Sequence, residues 1–183
     1  VTSPHMDSIR ERIQLDGVPL EEEPFWQAAS VVREVERCLF EEWGAFNYFE
    51  ILTAMMFVVF QQEAVDLAII EVGIGGLLDN TNVGHPLVSV ITTIGLDHQD
   101  LLGSTLEEIT AQKAGIIKSG QQVVVGPVTP ECMDVIREIA SEKGATVQAF
   151  DEDFFLIEES YQDSSQMIPL EQLALKGAFQ KEN

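Results

Sequence analysis

The sequence predicts an α/β domain with a doubly wound, mostly parallel sheet. Three short runs rich in β-branched residues recur along the chain, and segments with helical periodicity separate them. Continuous apolar runs of this length suit strands that are buried on both faces of a parallel sheet. Because parallel neighbours need a crossover connection, the intervening helices imply βαβ units. We expect residues 1–183 to form a single domain, which is long enough for a sizeable core.

Two helices are predicted before the first of these strands. Residues 22–43 place apolar side chains at helical spacing with charged residues between them, and Gly44 is a stop signal. Residues 48–62 form the second predicted helix. It is apolar on most sides, so we expect it to be deeply buried, with Met55 and Met56 in the core.

The three strand-like runs cover residues 66–71, 87–94 and 122–126. A helix over residues 105–117 is predicted to start with a capping box, because Glu108 lies three residues after Thr105. A further helix is predicted over residues 130–143, ending at Gly144. An edge strand is expected over residues 146–150. Beyond Asp151 the chain turns acidic and polar, with a weak strand near residues 173–176.

The chain is strongly acidic, with 31 acidic and 10 basic residues and a net charge of −21. Such a surface repels phosphate backbones and disfavours nucleic-acid binding. Solubility is the simplest interpretation of the charge, and adaptation to high salt is the alternative. The longest apolar run, residues 51–60, is too short to span a bilayer, and no signal peptide is recognisable, so we expect a cytoplasmic location. Cys38 and Cys132 lack metal-ligand spacing and are expected to be buried or inert thiols.

Candidate site residues follow the predicted strands, because ligands of open parallel sheets bind beyond the carboxyl ends of the strands. Glu71 ends the first run, and three glycines follow it within four positions, at 73, 75 and 76. Glycines let the backbone approach a ligand closely, although a tight turn capped by an acid is the alternative. Their spacing is not the G-x-G-x-x-G pattern of dinucleotide-binding proteins.

Asp97 and His98 follow the second run, where an imidazole and a carboxylate suit a metal ion. A structural histidine is the alternative for His98. We expect His98 to lie within a few ångströms of Glu71, across adjacent strand ends. Near the amino end, Pro4 biases Ser3 towards an extended conformation, and the Ser3 hydroxyl is a candidate Mg²⁺ ligand.

Two lysines lie near the end of the helix predicted over residues 105–117. The helix macrodipole favours a cation at Lys118 and accounts for it well. Lys113 lies before the last turn, on the face that it shares with Ile109 and Ile117, so the same explanation does not cover it.

Taken in order, these segments resemble the folylpolyglutamate synthase/dihydrofolate synthase family, part of the wider Mur ligase group. Each motif is weak by itself, whereas the ordered set with these separations is specific. The resemblance implies the P-loop-type central domain of that group. The similar segments are residues 2–5, 48–53, 71–76, 97–98, 113–118 and 180–183.

The resemblance implies a role for each matching residue. Ser3, Glu71 and His98 match positions that hold Mg²⁺. Lys113 matches a lysine that is carbamylated, and the carbamate is an anion where an ammonium would repel the ion. Lys113 and His98 are therefore the catalytic candidates, and Asn183 matches an asparagine that contacts ATP.

A further set of residues matches the segment that contacts the pterin in the bifunctional members of the family. An aromatic ring suits stacking on a pterin, and acidic side chains suit its ring N–H groups. These residues are Asn47, Tyr48, Phe49, Glu50 and Asp79.

The implied reaction joins L-glutamate to folate or dihydropteroate. ATP first phosphorylates a carboxylate of the acceptor, and the glutamate amine then attacks the acyl phosphate to give an amide, ADP and phosphate. Mg²⁺ neutralises charge on the transferring phosphoryl group. The family resemblance also implies a monomer.

The sequence departs from the family pattern at Leu77, where arginine is usual, at Asn80, where alanine is usual, and at Phe179, where histidine is usual. No glycine-rich loop with Lys-Ser/Thr occurs in these residues. We therefore expect a partial chain that lacks the phosphate loop before Thr2 and the carboxyl-terminal domain after Asn183. Such a chain would be incomplete at the amino-terminal edge of its sheet and inactive in isolation.

Two other hypotheses stay open at this point. One is another Mur-type amide ligase that acts on a cell-wall or storage-polymer precursor. The other is a catalytically silent binding or interaction module, and the missing phosphate loop is its only support. The coding sequence upstream of Val1 separates enzyme from silent module, because only the enzyme requires an in-frame glycine-rich loop there.

Overall fold

The computed structural model describes residues 3–158 and 160–170. The chain divides into two compact units, and each has its own hydrophobic core. Among the described residues, no helix is both long enough and apolar enough to cross a membrane. The first unit comprises Val1–Ile74 and Asp79–Val83, and the second comprises Gly75–Leu78 and Gly84–Asn183.

The first unit is built on two helices that pack together, α1 (Glu22–Trp43) and α2 (Tyr48–Gln62). Both have the predicted bounds. A 3₁₀ helix (Ile9–Arg12) and a short antiparallel ribbon, β1 (Gln14–Leu15) and β2 (Val18–Pro19), precede them. The core of the unit combines α2 with one side of α1, and Met55 and Met56 are buried in it as expected.

The end of α1 is set by Gly44, as predicted. Its φ of +76° suits glycine, and its N–H donates to the Phe40 carbonyl at 2.9 Å. Cys38 lies outside the buried stripe of this helix and is exposed, whereas Cys132 is buried in the second unit. The expectation of burial therefore holds for Cys132 alone.

The second unit contains a three-stranded parallel sheet in the order β3 (Val88–Ile91), β4 (Gln122–Val125), β5 (Thr146–Ala149). The chain between β3 and β4 forms α3 (Gln99–Leu102) and α4 (Leu106–Ala114), and α5 (Pro130–Glu142) connects β4 to β5. Parallel strands joined through helices confirm the predicted α/β class. Thr105 caps α4 with the predicted capping box, since its hydroxyl accepts a bond from the Glu108 N–H.

This sheet is buried on one face only, so the expectation of burial on both faces is wrong for the described chain. Ile91, Val123 and Val125 lie in the core, where the end of α4 and one side of α5 cover them. The alternate residues of β3, Val88 and Val90, are 46% and 55% exposed. Successive side chains of a strand point to opposite faces, so helices on a single face bury every second residue.

The predicted first strand, residues 66–71, is also wrong. These residues adopt no strand in the described chain, and Leu67 and Ile69 are 69% and 78% exposed. An apolar, β-branched run has a preference for the extended conformation, which is not sufficient to form a strand. A strand forms when a neighbouring strand takes up its backbone hydrogen bonds, and sequence pattern does not report that neighbour.

A small antiparallel sheet follows β5, in the stretch that the sequence suggested to be merely acidic and polar. Its strands are β6 (Phe154–Ile157), β7 (Ser160–Asp163) and β8 (Met167–Pro169). Asp163 closes the turn after β7 by accepting bonds from the Ser165 hydroxyl and N–H and from the Gln166 N–H, which hold the pKa of its carboxyl far below the ordinary value. The predicted strand near residues 173–176 lies outside the described residues.

Gly126 provides a test of how tightly β3 and β4 are joined. Its N–H donates to the Ile91 carbonyl at 2.8 Å, and a Cβ added to it would lie 2.1 Å from the Thr92 carbonyl oxygen. We expect Gly126→Ala to lower the free energy of unfolding by about 1–3 kcal/mol, because the backbone must shift to accept the methyl group. Urea unfolding followed by circular dichroism measures it.

The control is Gly95→Ala, because an added Cβ there meets no atom within 4 Å. This variant should stay within about 0.5 kcal/mol of the parent. Equal destabilisation by the two substitutions would contradict the packing argument.

Candidate functional site

Two of the predicted metal ligands, Ser3 and Glu71, meet in the first unit. The Ser3 N–H donates to Glu71 Oε2 at 3.0 Å, although the two residues are 68 positions apart. Glu71 is therefore held by a hydrogen bond to the amino-terminal segment and not by a strand of the sheet. A serine hydroxyl and a carboxylate are hard oxygen donors, the type of ligand that Mg²⁺ prefers.

These two residues fit part of a magnesium site. The described residues contain no cluster of three or more histidine, cysteine or acidic side chains able to hold a metal ion. Ser3 and Glu71 could contribute two ligands, His98 stays a predicted third, and ATP oxygens and water are the usual further ligands of Mg²⁺ in phosphoryl-transfer enzymes.

A small cavity adjoins this pair. Its volume of about 20 Å³ is room for one water-sized group. Its lining combines residues of α2 with polar side chains from other segments. The lining residues are Ser3, Arg12, Ile13, Phe49, Leu52, Thr53, Met56 and Glu71.

Asn47 and Glu50 form the capping box of α2. The Asn47 side-chain oxygen accepts bonds from the N–H groups of Phe49 and Glu50 at 2.9 and 3.0 Å, and Glu50 Oε2 accepts the Asn47 N–H at 2.7 Å. Sequence reasoning missed this role, although an N-cap residue with glutamate three positions later signals it. Substrate contact by these residues stays a prediction.

Tyr48 and Phe49 differ in their surroundings. Tyr48 is 51% exposed, and the guanidinium carbon of Arg12 lies 5.6 Å from its ring centroid. Phe49 lines the small cavity and packs against the loop that contains Gly73, Gly75 and Gly76, called the glycine-rich loop below. A Cβ added to Gly73 would lie 2.6 Å from the Phe49 ring. Tyr48 is therefore the more accessible ring for stacking on a ligand.

Asp79 shapes the glycine-rich loop. Its Oδ2 accepts the N–H groups of Gly73 and Ile74 at 3.1 and 3.0 Å. Its Oδ1 accepts the N–H and the hydroxyl of Thr81 at 2.9 and 2.5 Å. These four bonds occupy the acceptor capacity of the carboxylate, so Asp79 has a structural role. Its predicted contact with a pterin stays a prediction.

A larger groove lies between the end of α1 and the start of α2. Its volume is about 520 Å³, which is within the range of small-molecule sites. Apolar side chains dominate it, and two of the predicted substrate residues supply its polar groups. The groove is lined by Leu39, Trp43, Ala45, Phe46, Asn47, Glu50 and Ala54.

His98 belongs to the second unit and has an unusual backbone. It stands at the N-cap of α3 with φ +50° and ψ +39°, in the left-handed region that residues other than glycine adopt infrequently. Its N–H donates to Asp97 Oδ1 at 2.8 Å, and its Nε2 lies 3.7 Å from Asp97 Oδ2. The predicted approach of His98 to Glu71 stays a prediction.

Lys113 lies in the last turn of α4, where the second half of the glycine-rich loop packs. A Cβ added to Gly76 would lie 2.9 Å from the carbonyl oxygens of Gln112 and Lys113. The Leu77 N–H donates to the Gln112 carbonyl at 2.8 Å, and the Leu77 side chain covers Gly115. Leu77, which replaces the usual arginine of the family, therefore packs on this helix.

Two positions named by the family resemblance lie near the end of the chain. Asn183, the predicted ATP contact, and Phe179, the departure from the family motif, both lie outside the described residues.

Comparisons with known proteins agree with this architecture. Residues 44–173 match the family described as the Mur ligase middle domain. The dihydrofolate synthase/folylpolyglutamate synthase of Bacillus subtilis (strain 168) is 41% identical over 150 residues, covering 81% of this chain and 35% of the relative. The folylpolyglutamate synthase of Lacticaseibacillus casei is 37% identical over 193 residues, covering 100% of this chain and 45% of the relative. The chain thus spans less than half the length of either relative.

Solved structures show the same fold. Mycobacterium tuberculosis folylpolyglutamate synthase complexed with ADP superposes with a TM-score of 0.91 at 31% identity, covering 99% of this chain and 44% of that one. An FPGS–AMPPCP–folate complex gives a TM-score of 0.83 at 38% identity, covering 91% of this chain and 43% of that one.

The role of Asp79 in the loop is testable. Asp79→Ala leaves the N–H groups of Gly73, Ile74 and Thr81 without their acceptor, so we expect stability to fall by about 1–3 kcal/mol. Amide hydrogen exchange should accelerate at Gly73 and Ile74. Asp66→Ala, at an exposed aspartate of the same unit, is the control and should change neither property. Unchanged exchange at Gly73 and Ile74 would refute the role.

Proposed function

The chain belongs to the Mur ligase family, whose middle domain it matches, and we propose that the protein containing it is an ATP-dependent ligase that joins glutamate to folate or dihydropteroate. The observation that carries the proposal is the meeting of Ser3 with Glu71. This bond joins two distant segments, each of which carries a residue that the family resemblance assigns to Mg²⁺. Relatives at 37% and 41% identity are named for these activities.

The proposed reaction has two steps. A carboxylate oxygen of the acceptor attacks the γ-phosphorus of ATP, and ADP leaves. The amine of glutamate then attacks the carbonyl carbon of the acyl phosphate, phosphate leaves, and the amine loses a proton as the amide forms. Mg²⁺, when bound, would neutralise charge on the transferring phosphoryl group. ATP as co-substrate is supported by the ADP and AMPPCP complexes of the structural neighbours.

The residues of this chain have defined parts in that proposal. The Ser3 hydroxyl and the Glu71 carboxylate would hold Mg²⁺, and His98 is the proposed third protein ligand. Carbamylation of Lys113 would replace its positive charge with a negative one, which suits a position near a cation. Asn183 is the proposed contact to ATP.

The acceptor is proposed to bind along the start of α2. The groove of about 520 Å³ presents apolar side chains and the polar groups of Asn47 and Glu50. The exposed ring of Tyr48 suits stacking on a flat heteroaromatic ring. An FPGS structure that contains folate supports this class of ligand. Phe49 and Asp79 would then shape the site through the glycine-rich loop.

The activity is tested with the full-length protein that contains this chain. Release of phosphate should require ATP, Mg²⁺, glutamate and either dihydropteroate or tetrahydrofolate. Glu71→Gln removes a charged ligand, so the apparent affinity for Mg²⁺ should fall. The fall should exceed the roughly 10- to 100-fold that loss of an outer hydrogen-bond partner costs a metal site. Glu63→Gln changes an exposed glutamate of the same unit and should behave as wild type. If neither acceptor supports phosphate release, the folate assignment fails.

Asn47 allows the helix-capping role to be separated from substrate binding. Asn47→Ala should cost about 0.5–2 kcal/mol of stability, because α2 loses its N-cap acceptor. Asn47→Ser keeps a capping oxygen and should unfold close to wild type. Both variants lose the side-chain amide, so both should bind folate more weakly. Thermal unfolding and folate titration measure the two effects. If Asn47→Ser binds folate with wild-type affinity, Asn47 serves only as the helix cap.

A further inference from the structure

Arg12 is a partly buried cation at the candidate site, and the family resemblance gave it no role. It lines the small cavity together with Ser3, Phe49 and Glu71. It belongs to the short 3₁₀ helix that follows the amino-terminal segment. A guanidinium beside a predicted site for phosphoryl transfer therefore needs an explanation.

The fold does not neutralise this charge. In the described part of the chain, ion pairs join His98 to Asp97 and Arg137 to Glu152, and none involves Arg12. This is notable in a chain with 31 acidic and 10 basic residues. A partly buried cation that stays apart from so many carboxylates suits an anion supplied from outside the chain.

The neighbouring Arg10 shows what a structural arginine does here. Its Nη1 donates to the Leu20 carbonyl at 2.8 Å, so it ties the 3₁₀ helix to the end of β2. Arg12 makes a different set of contacts. Its Nε donates to His5 Nδ1 at 2.9 Å, and its guanidinium lies over the ring of Tyr48.

These contacts hold the guanidinium in place, and they leave most of its N–H donors available to a ligand. An arginine has five N–H groups, and the bond to His5 uses the one on Nε. Within the described residues, no hydrogen bond engages the two Nη groups of Arg12. The paired Nη donors match the two oxygens of a carboxylate, and a side chain already held in place loses less entropy on binding.

We propose that Arg12 binds a carboxylate of the acceptor substrate. This inference rests on the proposed function and deepens it. Arg12 lines one cavity with Ser3 and Glu71, the proposed Mg²⁺ ligands, and the acceptor carboxylate has to meet the transferring phosphoryl group at that place. A phosphate oxygen shares this chemistry, so the experiment separates the two anions.

The test measures equilibrium binding to the full-length protein. The probes are folate, folate diamide with both carboxylates converted to neutral amides, and AMPPCP. Wild type should bind folate about 10- to 100-fold more tightly than the diamide, the range expected for charge-assisted hydrogen bonds. Arg12→Gln should bind the two folates almost equally and bind AMPPCP as wild type does. Arg12→Lys should recover part of the preference, because it keeps the charge and loses the paired donors.

The control is Arg33→Gln, which removes an exposed arginine of α1 and should leave all three affinities unchanged. Thermal unfolding shows whether each variant is folded, and the diamide comparison on wild type needs no variant. Equal wild-type affinity for folate and its diamide would overturn the proposal. So would weaker AMPPCP binding by Arg12→Gln with an unchanged folate preference, which would assign Arg12 to phosphate.

The failure of this inference differs from that of the proposed function. An active wild type whose folate preference survives in Arg12→Gln would overturn only the role of Arg12. A wild type that neither binds folate nor releases phosphate would overturn the proposed function and the carboxylate assignment with it.

Discussion

The candidate site of the first unit depends on the hydrogen bond from the Ser3 backbone to the Glu71 carboxylate. Glu71 follows residues 66–70, which no strand ladder positions, so its location has to be fixed by side-chain contacts. The bond brings the amino-terminal segment beside the glycine-rich loop, and Arg12 then reaches the same cavity as Ser3 and Glu71. A carboxylate that accepts a backbone N–H forms a strong, charge-assisted bond, which suits a contact between irregular segments.

Acidic side chains serve the same purpose elsewhere in the chain, and this explains part of its negative charge. Glu11 accepts the N–H groups of residues 6, 7 and 8, and Glu108 accepts those of residues 104 and 105. Asp79 and Asp163 organise loops in the same way. Backbone N–H groups in irregular segments need acceptors, and carboxylates supply them.

These bonds also affect the ionisation of the acids. The backbone hydrogen bonds from Met6 and Ser8 lower the pKa of Glu11, and those from Ser104 lower the pKa of Glu108. A lowered pKa in the folded state stabilises the fold above the ordinary pKa, and that contribution is lost as the pH falls through the lowered value. The acidic composition is therefore partly structural and more than a means of solubility.

The elements that sequence predicted well have local causes. Gly44 ends α1 and Thr105 caps α4, and each effect involves residues within one turn. Apolar runs in the sequence predict the parallel strands. Which face of the sheet is exposed, and whether residues 66–71 form a strand, depends on distant partners. Of the site, the resemblance supplied Ser3 and Glu71, whereas the role of Arg12 rests on contacts that no local pattern reports.

A structural role and a ligand role are compatible at the start of α2. The capping box engages the side-chain oxygen of Asn47 and Oε2 of Glu50. No hydrogen bond in the described chain engages Nδ2 of Asn47 or Oε1 of Glu50, and both residues line the larger groove. Because the capping bonds already restrict these side chains, a ligand would order them at a smaller entropic cost. The same bonds that begin the helix therefore present one donor and one acceptor in a fixed arrangement, which suits the ring N–H and carbonyl groups of a pterin.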